Sequence, residues 1–237
     1  MAYTLPVRDE ATLDSLVHHH VLTGVVRDGH APAPGELAAA LEEAPDRIAG
    51  SLRRLHDGHG LVLHPDASDV WIAHPFSLSP TATWVAADGG RGWWAPCIWC
   101  AAGVAALAAP TATIHARAGG EAEPIAIALV DGRVVGTSPV VHFPIPPRDA
   151  WSNVVHFCAS VLPFRRAGDV DAWCQRHRVP RGEVVSMAQA LDLGRAWYGR
   201  HLDRDWRKWT IAEAQAIFDE VGLTGDFWRL PTGPGRF

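Results

Sequence analysis

Residues 111–143 read TATIHARAGGEAEPIAIALVDGRVVGTSPVVHF. Apolar positions alternate through TATIHARA, PIAIALV and RVVGTSPVVHF, the two-residue period of strands with one face covered. Asp131-Gly132 separates two of these runs, and such a pair supplies the positive φ values of a tight hairpin turn. The stretch therefore predicts strands, at least two of them joined as a hairpin. WVAA upstream and VVHFCASVLPF downstream have the same texture. Helices return toward the C-terminus, where Ser186-x-x-Gln189 and Thr210-x-x-Glu213 both fit the capping box.

Toward the N-terminus the period changes. In residues 9–23, Leu13, Leu16, Val17 and Val21 share one helical face, and Gly24 and Gly29 are expected to break the chain. Pro34 to Leu41 and Pro45 to Leu55 follow as two short helices, each with Pro near its start. LVLH and VWIA, separated by PDASD, read as a hairpin. Three helices and a hairpin is the order of a winged helix. The expectation is an α+β chain: a winged-helix-like unit over residues 1–75, then a domain over 76–237 with a small irregular mixed β-sheet flanked by helices.

Of the 237 residues, 48% are hydrophobic and 20% charged, enough apolar mass for a real core. The apolar stretch Ala101 to Ala109 is far short of the roughly 20 residues that cross a bilayer, so no membrane partner is expected. The opening MAYTLPVRDE has neither a basic start nor an apolar run, which leaves the cytoplasm as the expected compartment. The net charge is −5, and residues 1–75 carry five Arg and no Lys against eleven Asp and Glu. Arg47, Arg53 and Arg54 give the third helix only a modest basic face. Nucleic acid is therefore not an expected partner.

Four cysteines, two of them in one C-x-x-C, point in a reducing compartment to metal or thiol chemistry rather than a disulfide scaffold. In Trp93-Trp94-Ala95-Pro96-Cys97-Ile98-Trp99-Cys100, Pro96 suits a first helical position and puts Cys97 in the first turn. Unpaired amides and the helix dipole there should acidify its thiol. Cys100 falls on the same face, among tryptophans that exclude water. A thioredoxin-like reading fails for want of a preceding βαβ unit. Strand alternation places His156 and Cys158 on one face, which could bring a third thiol and an imidazole to the first two. Cys174, on a short helix capped by Asp169, reads as core packing. His18-His19-His20 points in three helical directions and reads as solvated.

Several stretches together resemble the organomercurial lyase (alkylmercury lyase) family: HPFS (74–77), WWAPC (93–97), FCASVLPF (157–164), and AWYGRHLDRDW through VGLTGDFWRL (196–230). The resemblance implies a winged-helix-like N-terminal unit and a catalytic domain of the family's own fold. It implies that Cys97 and Cys158 take hold of mercury, and that the family's proton-delivering Asp is replaced here by Cys100. The implied reaction is thiolate-assisted protonolysis of a carbon–mercury bond, with a small organometallic substrate. Mercury is then substrate and product ion, and no cofactor is required. A second reading is a metal-binding relative with a different lyase or biosynthetic reaction, in which Cys97, Cys100, Cys158 and His156 hold zinc, copper or iron. Three sulfurs and one imidazole would suit tetrahedral zinc.

Overall fold

The computed structural model describes residues 8–237, so most of the opening MAYTLPVRDE lies outside the described residues. Contacts within the chain divide it into two units: Met1–Ala73 with His201–Arg207, and His74–Arg200 with Lys208–Phe237.

In the first unit, Asp9 caps helix α1 (Glu10–Asp28) by accepting a hydrogen bond from the Thr12 amide at 2.9 Å. Helices α2 (Pro34–Leu41) and α3 (Pro45–Asp57) each begin on proline, and β1 (Val62–Leu63) pairs antiparallel with β2 (Val70–Ala73). Gly24 does not break α1. The helix runs on to Asp28 and ends on Gly29 in the left-handed region. A helical glycine costs only about 1 kcal/mol, and here the missing side chain has a use: a Cβ on Gly24 would lie 2.7 Å from the Pro32 ring.

The histidine run is also not solvated throughout. His18 is completely buried and stacks on Trp206 at 3.5 Å between ring centroids, while His19 meets the Leu202 carbonyl at 2.8 Å. The partners come from 201–207, a segment that sequence reading assigned to the other domain. Two of the arginines on α3 are ion-paired inside the unit, Arg47 to Glu43 at 2.8 Å and Arg54 to Asp14 at 2.7 Å.

The second unit holds β3 (Phe76–Ser77), β4 (Thr83–Ala87), β5 (Gly92–Ala95), β6 (Ala112–Arg117), β7 (Pro124–Val130) and β8 (Arg133–Val135), in spatial order β3-β5-β4-β6-β7-β8. A separate three-stranded sheet has β9 (Val140–Phe143) between β10 (Leu162–Phe164) and β11 (Glu183–Ser186). The expected single mixed sheet is therefore corrected to two sheets with antiparallel pairings. The physical reason lies in the connections. β7 and β8 are joined across Asp131 and Gly132 alone, both at positive φ, and a two-residue turn can only return the chain antiparallel. Alternation is strict along β7, where Ile125, Ile127 and Leu129 are buried and their neighbours exposed.

Helices α4 (Ile98–Ala108) and α7 (Met187–Tyr198) pack against each other through glycines. A Cβ on Gly194 would sit 2.7 Å from Ala102 Cβ and 2.9 Å from the Gly103 amide nitrogen, and one on Gly103 would strike the Tyr198 ring. Both boxes at the C-terminal helices form: Ser186 with Gln189 caps α7, and Thr210 with Glu213 caps α8 (Ile211–Glu220). Gly194→Ala gains about 1 kcal/mol of helix propensity but forces two backbones apart. A net loss of about 1–2 kcal/mol is expected, read as a lowered urea midpoint. A midpoint at or above that of the parent would show that the crossing is looser than its geometry.

Candidate active site

Two short helices bring three thiols together. Cys97 is the N-cap of α4, two positions earlier in the helix than sequence reading placed it. Its backbone is extended (φ −156°, ψ 178°), and its sulfur accepts the Cys100 amide at 3.2 Å. Pro96 therefore precedes the cap, and the Cys97 sulfur does the work usually given to a serine or aspartate oxygen. Cys100, one turn on, faces the same side.

Cys158 arrives on a helix, not a strand. Residues Val154–Ser160 form α5, capped by Asn153, whose side chain accepts the His156 amide at 2.9 Å. This corrects the expected strand, and with it the pairing of His156 with Cys158. Two residues along a helix is about 200° of rotation, so Cys158 is buried with Val154 and Phe157 while His156 is exposed. His156 is not brought to the thiols. The Ile98 amide reaches the Val161 carbonyl at 3.5 Å, tying the start of α4 to the end of α5.

The sulfurs of Cys97, Cys100 and Cys158 all lie within 4.8 Å of one another, and the three residues are 3%, 0% and 5% exposed. Each thiol is hydrogen-bonded to the other two. Two further groups touch the cluster. The Tyr198 hydroxyl lies 3.4 Å from the Cys100 sulfur, and His74 Nε2 lies 3.8 Å from the Cys158 sulfur. Sequence reading missed both as site residues, although HPFS and AWY were among the stretches it singled out. Trp99 packs on Trp197 at 5.4 Å, Tyr198 at 6.0 Å and Phe157 at 6.2 Å between ring centroids, an aromatic wall beside the thiols.

The three thiols differ in acidity. Burial pushes the Cys97 thiol up, but hydrogen bonds from the Cys100 and Cys158 thiols and the Cys100 amide, with the charge of His74, together hold it well below its ordinary value. Burial holds the Cys100 thiol well above it. The Cys158 thiol is raised by its hydrogen bonds to Cys100 and Cys97, and by burial. Cys97 is therefore the first of the three to give up its proton, and Cys100 and Cys158 keep theirs beside it, because three thiolates in one dry pocket would repel each other. Cys174 lies apart on α6 (Ala167–His177), in a cluster with Phe164 and Val170, and burial raises its thiol. Asp169 does not cap α6. Arg166 is the N-cap residue, and Asp169 sits in the first turn, 3.0 Å from the Arg166 guanidinium.

These acidities have a direct readout. Iodoacetamide at neutral pH is expected to label Cys97 before Cys174, since the thiolate is the nucleophile. Peptide mass mapping over time checks it, and Cys174 reacting first would contradict the assignment.

Among the described residues no helix is long and apolar enough to cross a membrane. No curated protein matches the chain in sequence. A solved structure, the mercury-bound form of MerB2, superposes with a TM-score of 0.64 at 18% identity, covering 84% of this chain and 93% of that one. At that identity the likeness is one of fold. The family model for alkylmercury lyase (MerB) matches residues 76–199, just over half of the chain and a span that holds Cys97, Cys100, Cys158 and Tyr198. The chain belongs to the alkylmercury lyase family, a family of enzymes.

Proposed function

We propose that this chain cleaves a carbon–mercury bond by thiolate-assisted protonolysis, with Cys97 and Cys158 gripping mercury and Cys100 delivering the proton. The observation that carries the reading is the convergence of three buried thiols, one of them, Cys97, made the most acidic by the other two, in a chain of this family. Thiolate sulfur is the natural partner of a soft metal. The substrate is a small organomercurial, and mercury(II) is the product ion.

The steps balance as follows. The Cys97 thiolate bonds to the mercury of an R–Hg⁺ group, displacing whatever ligand carried it in. Cys158 adds as a second sulfur and gives up its proton. Electron density pushed from two sulfurs onto mercury makes the attached carbon basic. Cys100 donates its proton to that carbon and takes over the one released by Cys158. The carbon–mercury bond breaks, R–H leaves, and mercury(II) stays on two thiolates with no net charge. His74, beside Cys158, is placed to ease the release of that proton.

In this reading Cys100 occupies the place of the family's Asp. Its thiol starts from an unperturbed pKa of about 8.5 against about 3.9 for Asp, so it holds a proton well and releases it less readily. The zinc, copper or iron reading loses its imidazole at His156, which is exposed.

Two measurements on one preparation test the proposal: metal content of protein purified without added metal, and methane in the headspace after incubation with methylmercury and excess thiol. Metal-free protein that releases methane is expected. One tightly bound metal per chain with no methane would overturn the lyase reading.

A further inference from the structure

We propose that the Cys97–Cys100–Cys158 site also binds trivalent arsenic, as a neutral adduct in which all three sulfurs are bonded to one arsenic atom. The inference concerns ligand binding alone and does not rest on carbon–mercury cleavage.

The donor set is the first argument. Among the described residues the converging group consists of three thiols. Zinc prefers four donors, whereas a trivalent main-group centre with a lone pair makes three bonds and uses this set completely.

Spacing is the second. At a bond of about 2.3 Å, the length of a zinc–sulfur bond, three sulfurs around one atom stand about 3.5–4 Å apart. Here the sulfurs lie within 4.8 Å of one another and are already in mutual hydrogen-bond contact, so little closing is needed.

Charge is the third argument, and it decides between ions. A divalent ion on three thiolates leaves one net negative charge, which is costly where the ligands are 0–5% exposed. Arsenous acid enters uncharged and leaves an uncharged adduct. The condensation balances without a redox change. One As(OH)₃, the Cys97 thiolate, the two S–H groups of Cys100 and Cys158 and one proton from solvent give one As(S)₃ unit and three waters, with three arsenic–oxygen bonds broken and three arsenic–sulfur bonds made. The Tyr198 hydroxyl, 3.4 Å from the Cys100 sulfur, stays available as a hydrogen-bond donor to that sulfur once its own proton has left.

The test uses the reduced full chain, sodium arsenite and two readouts. Native mass spectrometry should show one arsenic per chain with three protons lost. Arsenic K-edge absorption should show a first shell of three sulfurs and no oxygen. Cys174→Ser should change neither result. Cys100→Ser, checked for folding by circular dichroism, should lose one sulfur from the shell or fail to retain arsenic through buffer exchange. If that variant does not fold, the coordination shell of the parent decides alone. No retained arsenic, a shell with fewer than three sulfurs, or dependence on Cys174 would overturn the proposal. Methane release from methylmercury, measured on the same preparation without arsenite, keeps the two ideas separate: arsenic bound without cleavage removes only the lyase reading, and cleavage without arsenic binding removes only this one.

Discussion

Replacing Cys97 by Ser is expected to lower organomercurial cleavage by about 10³-fold or more, on the scale seen when an enzyme loses its nucleophile. The substitution separates chemistry from folding unusually well. Cys97 is the N-cap of α4, and its sulfur accepts the Cys100 amide at 3.2 Å. Serine is among the best N-cap residues, so the helix start survives and only the soft ligand is lost. The urea midpoint should therefore stay close to that of the parent while cleavage of phenylmercury collapses. A variant retaining more than a tenth of the parental rate would remove Cys97 from the chemistry.

The second large effect is expected at Cys100, and its direction depends on what replaces the thiol. Cys100→Ala removes the group proposed to carry the proton, and a loss of about 10²-fold or more should follow, as for other positioned general acids. Cys100→Asp restores a carboxylate to the place where the family resemblance puts one, and it should cleave at least as fast as the parent. The outcome is not trivial, because Cys100 is fully buried against Tyr198 and a carboxylate there must be hydrogen-bonded to be tolerated. The Tyr198 hydroxyl can donate that bond. Single-turnover rates, taken alongside circular dichroism, read both variants. An Asp variant that folds yet falls to the level of the Ala variant would show that Cys100 acts as a metal ligand and not as a proton carrier.

The two readings of one tetrapeptide show where sequence inference succeeded and where it stopped. VVHF occurs twice, at Val140–Phe143 and at Val154–Phe157. The first copy is the central strand β9, bonded on both sides, and the second opens helix α5. β-branched residues favour strands only weakly, and tertiary context overrides them. The decisive local signal was Asn153, an N-cap residue immediately before the second copy. Reading 154–160 as a strand moved His156 onto the face of Cys158, whereas helical rotation turns it to solvent and leaves the thiol inside.

Cys97 and Cys100 were legible because a C-x-x-C at a helix start constrains itself locally. His74 and Tyr198 were not, because 84 residues separate His74 from Cys158 and 98 separate Tyr198 from Cys100. No local period encodes such a meeting. The hairpin at Asp131-Gly132 and both C-terminal capping boxes were legible for the opposite reason, since each is settled within four residues. Segment His201–Arg207 escaped assignment to the first unit because its anchor is a stack of Trp206 on His18, far away in sequence.

Protonolysis by a protein thiol makes a specific demand on the product. The measurement that tests it most directly is incubation of phenylmercury with the parent and with Cys97→Ser in D₂O containing excess dithiol, followed by mass analysis of the benzene released. The expected result is benzene carrying one deuterium, formed over repeated turnovers by the parent and nearly absent with the variant. Benzene released equally by both proteins, or none from a parent that copurifies with one tightly bound metal, would contradict carbon–mercury protonolysis at this three-thiol site.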